Sequence, residues 1–140
     1  GTSYTDIIDS ICPDLSVSEK GQLYSEKLLD TLLKNAQPIL QSGVKHIIIT
    51  GARIYDGKIS NCIINSDGIE AVSTEAFNGS YSGTGDLFAA AVCGELVKGS
   101  DVHSAVCRAA KFIEISLRAT VTENTRTEDG ICFEPFLKLL

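Results

Sequence analysis

With 140 residues, 44% of them hydrophobic, the chain can build one core of ordinary domain size, and an intrinsically disordered chain is excluded. A formal net charge of -6 without any basic stretch argues against nucleic acid or an anionic membrane surface as partner. No run approaches the roughly 20 apolar residues that span a bilayer, and Gly1-Thr2-Ser3-Tyr4-Thr5-Asp6 has neither part of a signal peptide, so the expected location is cytoplasmic. The five cysteines, Cys12, Cys62, Cys93, Cys107 and Cys132, form no C-x-x-C pair. They argue against a disulfide framework and a zinc site, and are expected to be mostly small buried hydrophobes.

The chain is expected to form a single domain over 1–140. Residues 3–12 suit a short helix stopped near Pro13. Ser16 or Ser18 suits the cap of a helix running to about Gln41, with a leucine stripe from Leu23 to Leu40; Gly21 and Pro38 weaken its ends, and Pro38 is a place for a kink or a split. The mixed charges Glu19-Lys20, Glu26-Lys27 and Lys34 describe its solvated face. Val44 to Thr50 is a β-branched run of the kind found in strands covered on both faces. Two weaker strands, about 58–64 and 69–75, follow the turn signals Asp56-Gly57 and Asp67-Gly68, which favour antiparallel pairing. A helix of about 86–98 offers Leu87, Ala90, Ala91 and Gly94 as a small-residue face for packing on a sheet, and a helix of about 101–120, capped by Asp101, carries Val102, Ala105, Val106, Ala109, Ile113 and Leu117 at helical spacing. The apolar tail from Gly130 to Leu140 is expected to pack back on the domain. Strand, meander, glycine-rich loop and helix pair define an α/β layered domain, in which ligand sites lie at strand ends.

Ser82-Gly83-Thr84-Gly85-Asp86 carries the most chemistry. Gly83 and Gly85 permit backbone conformations and close approaches that a Cβ resists, so N–H groups around Thr84 can converge on one anion at a helix N-terminus. Asp86 stands at the edge of that cradle, where a carboxylate can either stabilise the helix start or accept a proton from an attacking hydroxyl. Taken alone, a G-x-G-D turn before a helix is more often a structural cap. His46, in a strand, and His103, on a first helical turn, are expected to be structural or exposed. Arg108, Lys111 and Arg118 are better explained as a solvated face than as a phosphate-facing set.

The run Gly83-Thr84-Gly85-Asp86-Leu87-Phe88-Ala89-Ala90 resembles the anion-hole signature of the ribokinase-like superfamily, most closely its pyridoxal and pyridoxamine kinases, and Ile47-Ile48-Ile49-Thr50-Gly51 resembles the strand that ends at the nucleotide phosphates. Gly130-Ile131-Cys132-Phe133 is similar to the tails of bacterial pyridoxamine kinases. The resemblance implies the C-terminal part of a three-layer α/β/α fold with an antiparallel meander at the sheet edge. It implies a kinase using ATP and Mg2+ on the hydroxymethyl group of a B6 vitamer, dimeric when complete. Asp86 would be the base, Gly83, Thr84 and Gly85 the anion hole, Thr50 and Gly51 phosphate contacts, and Asn78, Gly79, Ser80 and Tyr81 the loop bordering ribose and adenine.

Members of that family are longer, with an Asn-x-x-Glu type motif that helps place magnesium just before the position where this chain starts. No such motif occurs here, so the expectation is a C-terminal fragment without metal ligands of its own. The aspartate argues against thiamine-pathway relatives with cysteine at that position. Sugar kinases are the nearest enzyme alternative, and an ADP-forming nicotinamide-nucleotide repair dehydratase is a second with a related turn. A non-catalytic nucleotide-binding piece is the non-enzyme alternative.

Overall fold

A computed structural model describes residues 14, 16–77, 81–123 and 130–140. The chain divides into two compact units, Gly1–Glu70 and Ala71–Leu140. The expected helix 3–12 lies outside the described residues.

In the first unit, helix α1 spans Val17–Gln41 and starts at a reciprocal cap. Ser16 Oγ accepts from the Glu19 N–H at 3.2 Å, and Glu19 Oε2 accepts from the Ser16 N–H at 2.8 Å. The Ser16 N–H bond foremost, and the Ser16 side chain beside the carboxylate, hold the Glu19 carboxyl below its ordinary range. Ser16→Ala is expected to cost about 1 kcal/mol in urea unfolding, because it leaves the Glu19 amide to water. Pro38 neither splits nor ends the helix, which continues to Gln41. Only one turn follows it, so little of the hydrogen-bond ladder depends on its missing N–H. Gly43, at φ +105°, then turns the chain, donating to the Leu40 carbonyl at 3.1 Å.

Strands β1 (Ile47–Ala52), β2 (Lys58–Asn65) and β3 (Gly68–Glu75) form a sheet in the order β1-β2-β3. β1 and β2 are antiparallel, with Ile47 opposite Ile64 and Ile49 opposite Cys62. The double coverage expected for β1 is instead found on β2, where Ser60 to Ile64 are all buried while Thr50 and Gly51 on β1 are exposed. Among the described strands β2 lies between β1 and β3, an order that a β-branched run alone does not reveal. Both hairpin turns match their sequence signals, with Gly57 and Gly68 at φ +68° and +133°. Between β1 and β2, the Ser25 hydroxyl of α1 donates to the Ile54 carbonyl at 2.7 Å, beside a cleft of about 1070 Å³ lined by Lys20, Tyr24, Arg53, Tyr55 and Lys58.

In the second unit, helix α2 spans Thr84–Val97 and helix α3 spans Val102–Thr122. Asp101 caps α3, its carboxylate accepting from the Ser104 N–H at 2.9 Å. The buried stripe of α3 includes Ala105, Val106, Ala109, Phe112, Ile113 and Ser116, and α2 packs against α3. The small-residue face expected on α2 is buried only in part: Ala91 is buried and Leu87 half-buried, while Ala90 and Gly94 are exposed, and Ala91 joins Phe88, Val92 and Glu95 in one buried helical stripe. A 3-10 helix over Glu134–Leu139 returns to α3, as the apolar tail implied. The cysteines depart from expectation: of the four described, Cys62 is buried but Cys93 is exposed. No described helix is long and apolar enough to cross a membrane.

Candidate active site

The three described α-helices start differently. Ser16 and Asp101 cap α1 and α3 with side-chain oxygens, while α2 starts at Gly83, which has no side chain to offer and sits at φ +79°. That left-handed conformation favours glycine strongly, and it breaks the chain direction just before the helix. The first amide of α2 with a full helical bond is that of Leu87, donating to the Gly83 carbonyl at 2.9 Å. Before it, the Thr84 N–H reaches only the Tyr81 carbonyl at 3.4 Å, and the Thr84 hydroxyl donates to the same oxygen at 2.8 Å. Among the described residues no backbone acceptor meets the N–H groups of Gly85 or Asp86.

These donors lie in the first turn of a helix, where the macrodipole adds positive potential. The turn is therefore chemically suited to an anion bearing several acceptor oxygens. Gly85 contributes differently from Gly83. Its φ is not in the left-handed region, and a Cβ built on it would meet nothing within 4 Å. Asp86, the third helical residue, is exposed, as are Gly83 and Gly85. Tyr81 is half-buried, and Asn78, Gly79 and Ser80 lie outside the described residues.

Thr50 and Gly51 belong to the first unit. The register between β1 and β2 shifts between Ile49 and Ala52, and Gly51 takes φ +69° there. The shift adds one residue to β1 relative to β2, and bulges of this kind are common beside ligand sites.

Glu95 was not singled out from the sequence, yet it organises the far end of α2. It is 1% exposed and accepts from Lys98 Nζ at 3.0 Å, Ser100 Oγ at 3.1 Å and Arg108 Nη1 at 3.2 Å. Glu114 on α3 does the same for the end of β3, accepting from the Glu75 N–H at 2.8 Å and Lys111 Nζ at 2.9 Å, with Arg118 reaching Glu75 at 3.2 Å. Arg108, Lys111 and Arg118 are thus exposed along their stems with their tips engaged by carboxylates. A carboxylate within the apolar run Val92 to Val97, with cations at Lys98 and Arg108, was the available sequence signal for Glu95.

The Lys98 hydrogen bond, more than any other contact, lowers the Glu95 carboxyl below its ordinary range. A carboxyl lowered in the folded state stabilises the fold above the unfolded-state value, and that contribution is lost as pH falls through the folded one. Glu95→Gln is accordingly expected to lower Tm at pH 7, with the gap to wild type closing below about pH 4. Thermal melts across pH test this, and a gap independent of pH would contradict it.

Among the described residues no group of three or more His, Cys, Asp or Glu side chains converges on a possible metal position. Magnesium in phosphoryl-transfer sites commonly rests on one or two carboxylates plus phosphate oxygens.

Residues 7–130 match the Phosphomethylpyrimidine kinase family, and the chain belongs to that family. A pyridoxine kinase from Bacillus subtilis strain 168 is 27% identical over 117 residues, 81% of this chain and 43% of the relative. A hydroxymethylpyrimidine/phosphomethylpyrimidine kinase from Staphylococcus aureus strain Mu50 is 34% identical over 84 residues, 59% of this chain and 30% of the relative. Among solved structures, the pyridoxal kinase from Lactobacillus plantarum has a TM-score of 0.67 at 26% identity, over 79% of this chain and 40% of its own. A putative phosphomethylpyrimidine kinase from Bacteroides thetaiotaomicron, in a form with pyridoxal, has a TM-score of 0.70 at 27% identity, over 78% of this chain and 40% of its own. The chain thus spans less than half the length of these relatives. Its fold is the ribokinase-like α/β fold that the Gly83–Ala90 run implied, with the antiparallel meander in place.

Proposed function

We propose that the protein carrying this chain is a kinase that transfers the γ-phosphoryl group of ATP to the hydroxymethyl oxygen of a B6 vitamer: pyridoxal, pyridoxamine or pyridoxine. The observation that carries the reading is the start of α2, where a left-handed glycine replaces a side-chain cap, the Gly85 and Asp86 amides meet no backbone acceptor among the described residues and Asp86 stands in the same turn. Asp86 takes the hydroxyl proton as the oxygen attacks phosphorus, and the bond from phosphorus to the bridging oxygen of ADP breaks. The N–H groups of Gly83, Thr84 and Gly85 stabilise the charge spread over the transferring phosphoryl, the main source of rate in this chemistry. Thr50 and Gly51 contact the nucleotide phosphates, and Asn78, Gly79, Ser80 and Tyr81 border ribose and adenine. Bound Mg2+ would neutralise charge on the β- and γ-phosphates, with its protein ligands largely outside this chain.

In this reading residues 1–140 are one catalytic, nucleotide-binding domain of a longer cytoplasmic enzyme, dimeric when complete. Family membership supports a kinase acting on a hydroxymethyl heteroaromatic, and the relatives' names support both a B6 vitamer and a hydroxymethylpyrimidine. Asp86, in place of the cysteine of thiamine-pathway relatives, inclines the choice to B6, and the family description favours the pyrimidine as second reading. Coupled assays of ADP release by the natural full-length protein separate the two. Turnover of a B6 vitamer with none of hydroxymethylpyrimidine is the expected result. The reverse pattern would overturn it, and nucleotide binding without turnover of any hydroxymethyl compound would favour a non-catalytic role.

A further inference from the structure

Gly130 touches the proposed anion-hole turn from a distant part of the sequence. It sits at φ +83°, and a Cβ built on it would lie 3.4 Å from the Ser82 carbonyl oxygen. Of the described glycines, no other has a non-neighbouring atom within 4 Å of that position. Two residues later, the Cys132 N–H donates to Thr120 Oγ1 at 2.8 Å. Thr120 is fully buried on α3, and its hydroxyl donates onward to the Ser116 carbonyl at 2.7 Å. A continuous path of contacts therefore runs from the interior of α3, through Thr120 and Cys132, to Gly130 and the Ser82 carbonyl.

The Ser82 carbonyl and the Gly83 N–H belong to one planar peptide unit. Whatever fixes the direction of that oxygen also fixes, in the opposite sense, the direction of the first donor of the turn. Gly83 itself, lacking a side chain, adds no steric restraint on that peptide beyond the Tyr81–Thr84 turn that brackets it. We infer that Gly130 and Thr120 are positioning residues for the Gly83–Gly85 turn. Thr120 holds the tail at its buried hydroxyl, and Gly130, at a φ that residues with a side chain disfavour, lets the tail turn beside the Ser82 carbonyl. This rests on the proposed role of the turn in phosphoryl transfer.

The test uses the natural full-length protein and four variants: Gly130→Ala, Thr120→Val, Thr120→Ser and, as reference, Asp86→Asn. Gly130→Ala places a methyl against Ser82 in a backbone conformation that alanine disfavours. Thr120→Val keeps the shape of the side chain but removes the acceptor for Cys132, and Thr120→Ser restores that acceptor. Gly130→Ala and Thr120→Val are expected to lower kcat by roughly tenfold or more with little change in vitamer KM, because small misplacements of catalytic donors cost rate more than binding.

Hydrogen exchange read by mass spectrometry supplies a readout independent of turnover. The peptide covering 82–87 should exchange faster in those two variants, a peptide centred on Phe112 should not, and Thr120→Ser should return both kcat and exchange to wild type. Unchanged kcat and unchanged exchange at 82–87, while Asp86→Asn removes turnover, would sink the inference and leave the functional reading standing. Faster exchange in both peptides would also overturn it, by showing that Gly130 and Thr120 serve global stability. If Asp86→Asn leaves turnover intact, the functional reading fails, and exchange at 82–87 still decides whether the tail positions the turn.

Discussion

Asp86→Asn is expected to lower kcat by two to four orders of magnitude while leaving the fold and nucleotide affinity nearly unchanged. Asparagine is close to isosteric and can still occupy the first turn of α2, so the helix should start at the same residue. What is lost is the acceptor for the hydroxyl proton. With the carboxylate gone, the attacking oxygen must lose its proton to water or to the phosphoryl group itself. Steady-state kinetics with a B6 vitamer, beside ATP titration calorimetry, separates this from a binding defect. A variant retaining most of its kcat would exclude Asp86 as the base. Its exposed position suits a group that must meet a substrate oxygen and then return the proton to solvent.

The second large effect is on stability. Phe112→Ala should destabilise the protein by about 3–5 kcal/mol, a large share of the 5–15 kcal/mol that holds a typical domain together. Phe112 is fully buried on the α3 stripe, between Ala109 and Ser116, and its ring leaves a cavity that small neighbours cannot fill by collapsing. Denaturant unfolding monitored by circular dichroism measures the loss. A cost under about 1 kcal/mol would mean that α2 and α3 repack around the gap more readily than close packing allows.

Much of the element order was legible because its signals are local. The serine cap offered at Ser16 or Ser18, Asp56-Gly57, Asp67-Gly68 and the Asp101 cap each act within a few residues, and each gave a boundary within a few residues of the observed one. The exposure of β1 was not legible, because a β-branched run does not reveal the strand order, in which β2 lies between β1 and β3 among the described strands. Nor was the buried stripe of α2. Small residues at helical spacing suggested one face, but Phe88 and Val92 have more apolar area to bury and took the packing against α3.

For the candidate site, the Gly83–Asp86 run announced itself, since a left-handed position and an uncapped helix start leave glycine and an acid in sequence. Gly130 did not. A single glycine near a chain's tail has no local pattern, and its meaning comes from a carbonyl 48 positions earlier. Thr50 and Gly51 fall in the last three residues of β1, at its end as the sequence suggested, while the bulge they occupy is a feature that only the pairing register reveals.

The bare start of α2 also bears on how this protein can evolve. Introducing a side chain that satisfies the amides after Gly83 is an accessible way to raise stability in most helices. Here the same oxygen would occupy the donors proposed to receive the phosphoryl group. Selection for robustness and selection for turnover therefore pull this one position in opposite directions, and mutations that make the protein sturdier should accumulate everywhere before they reach it.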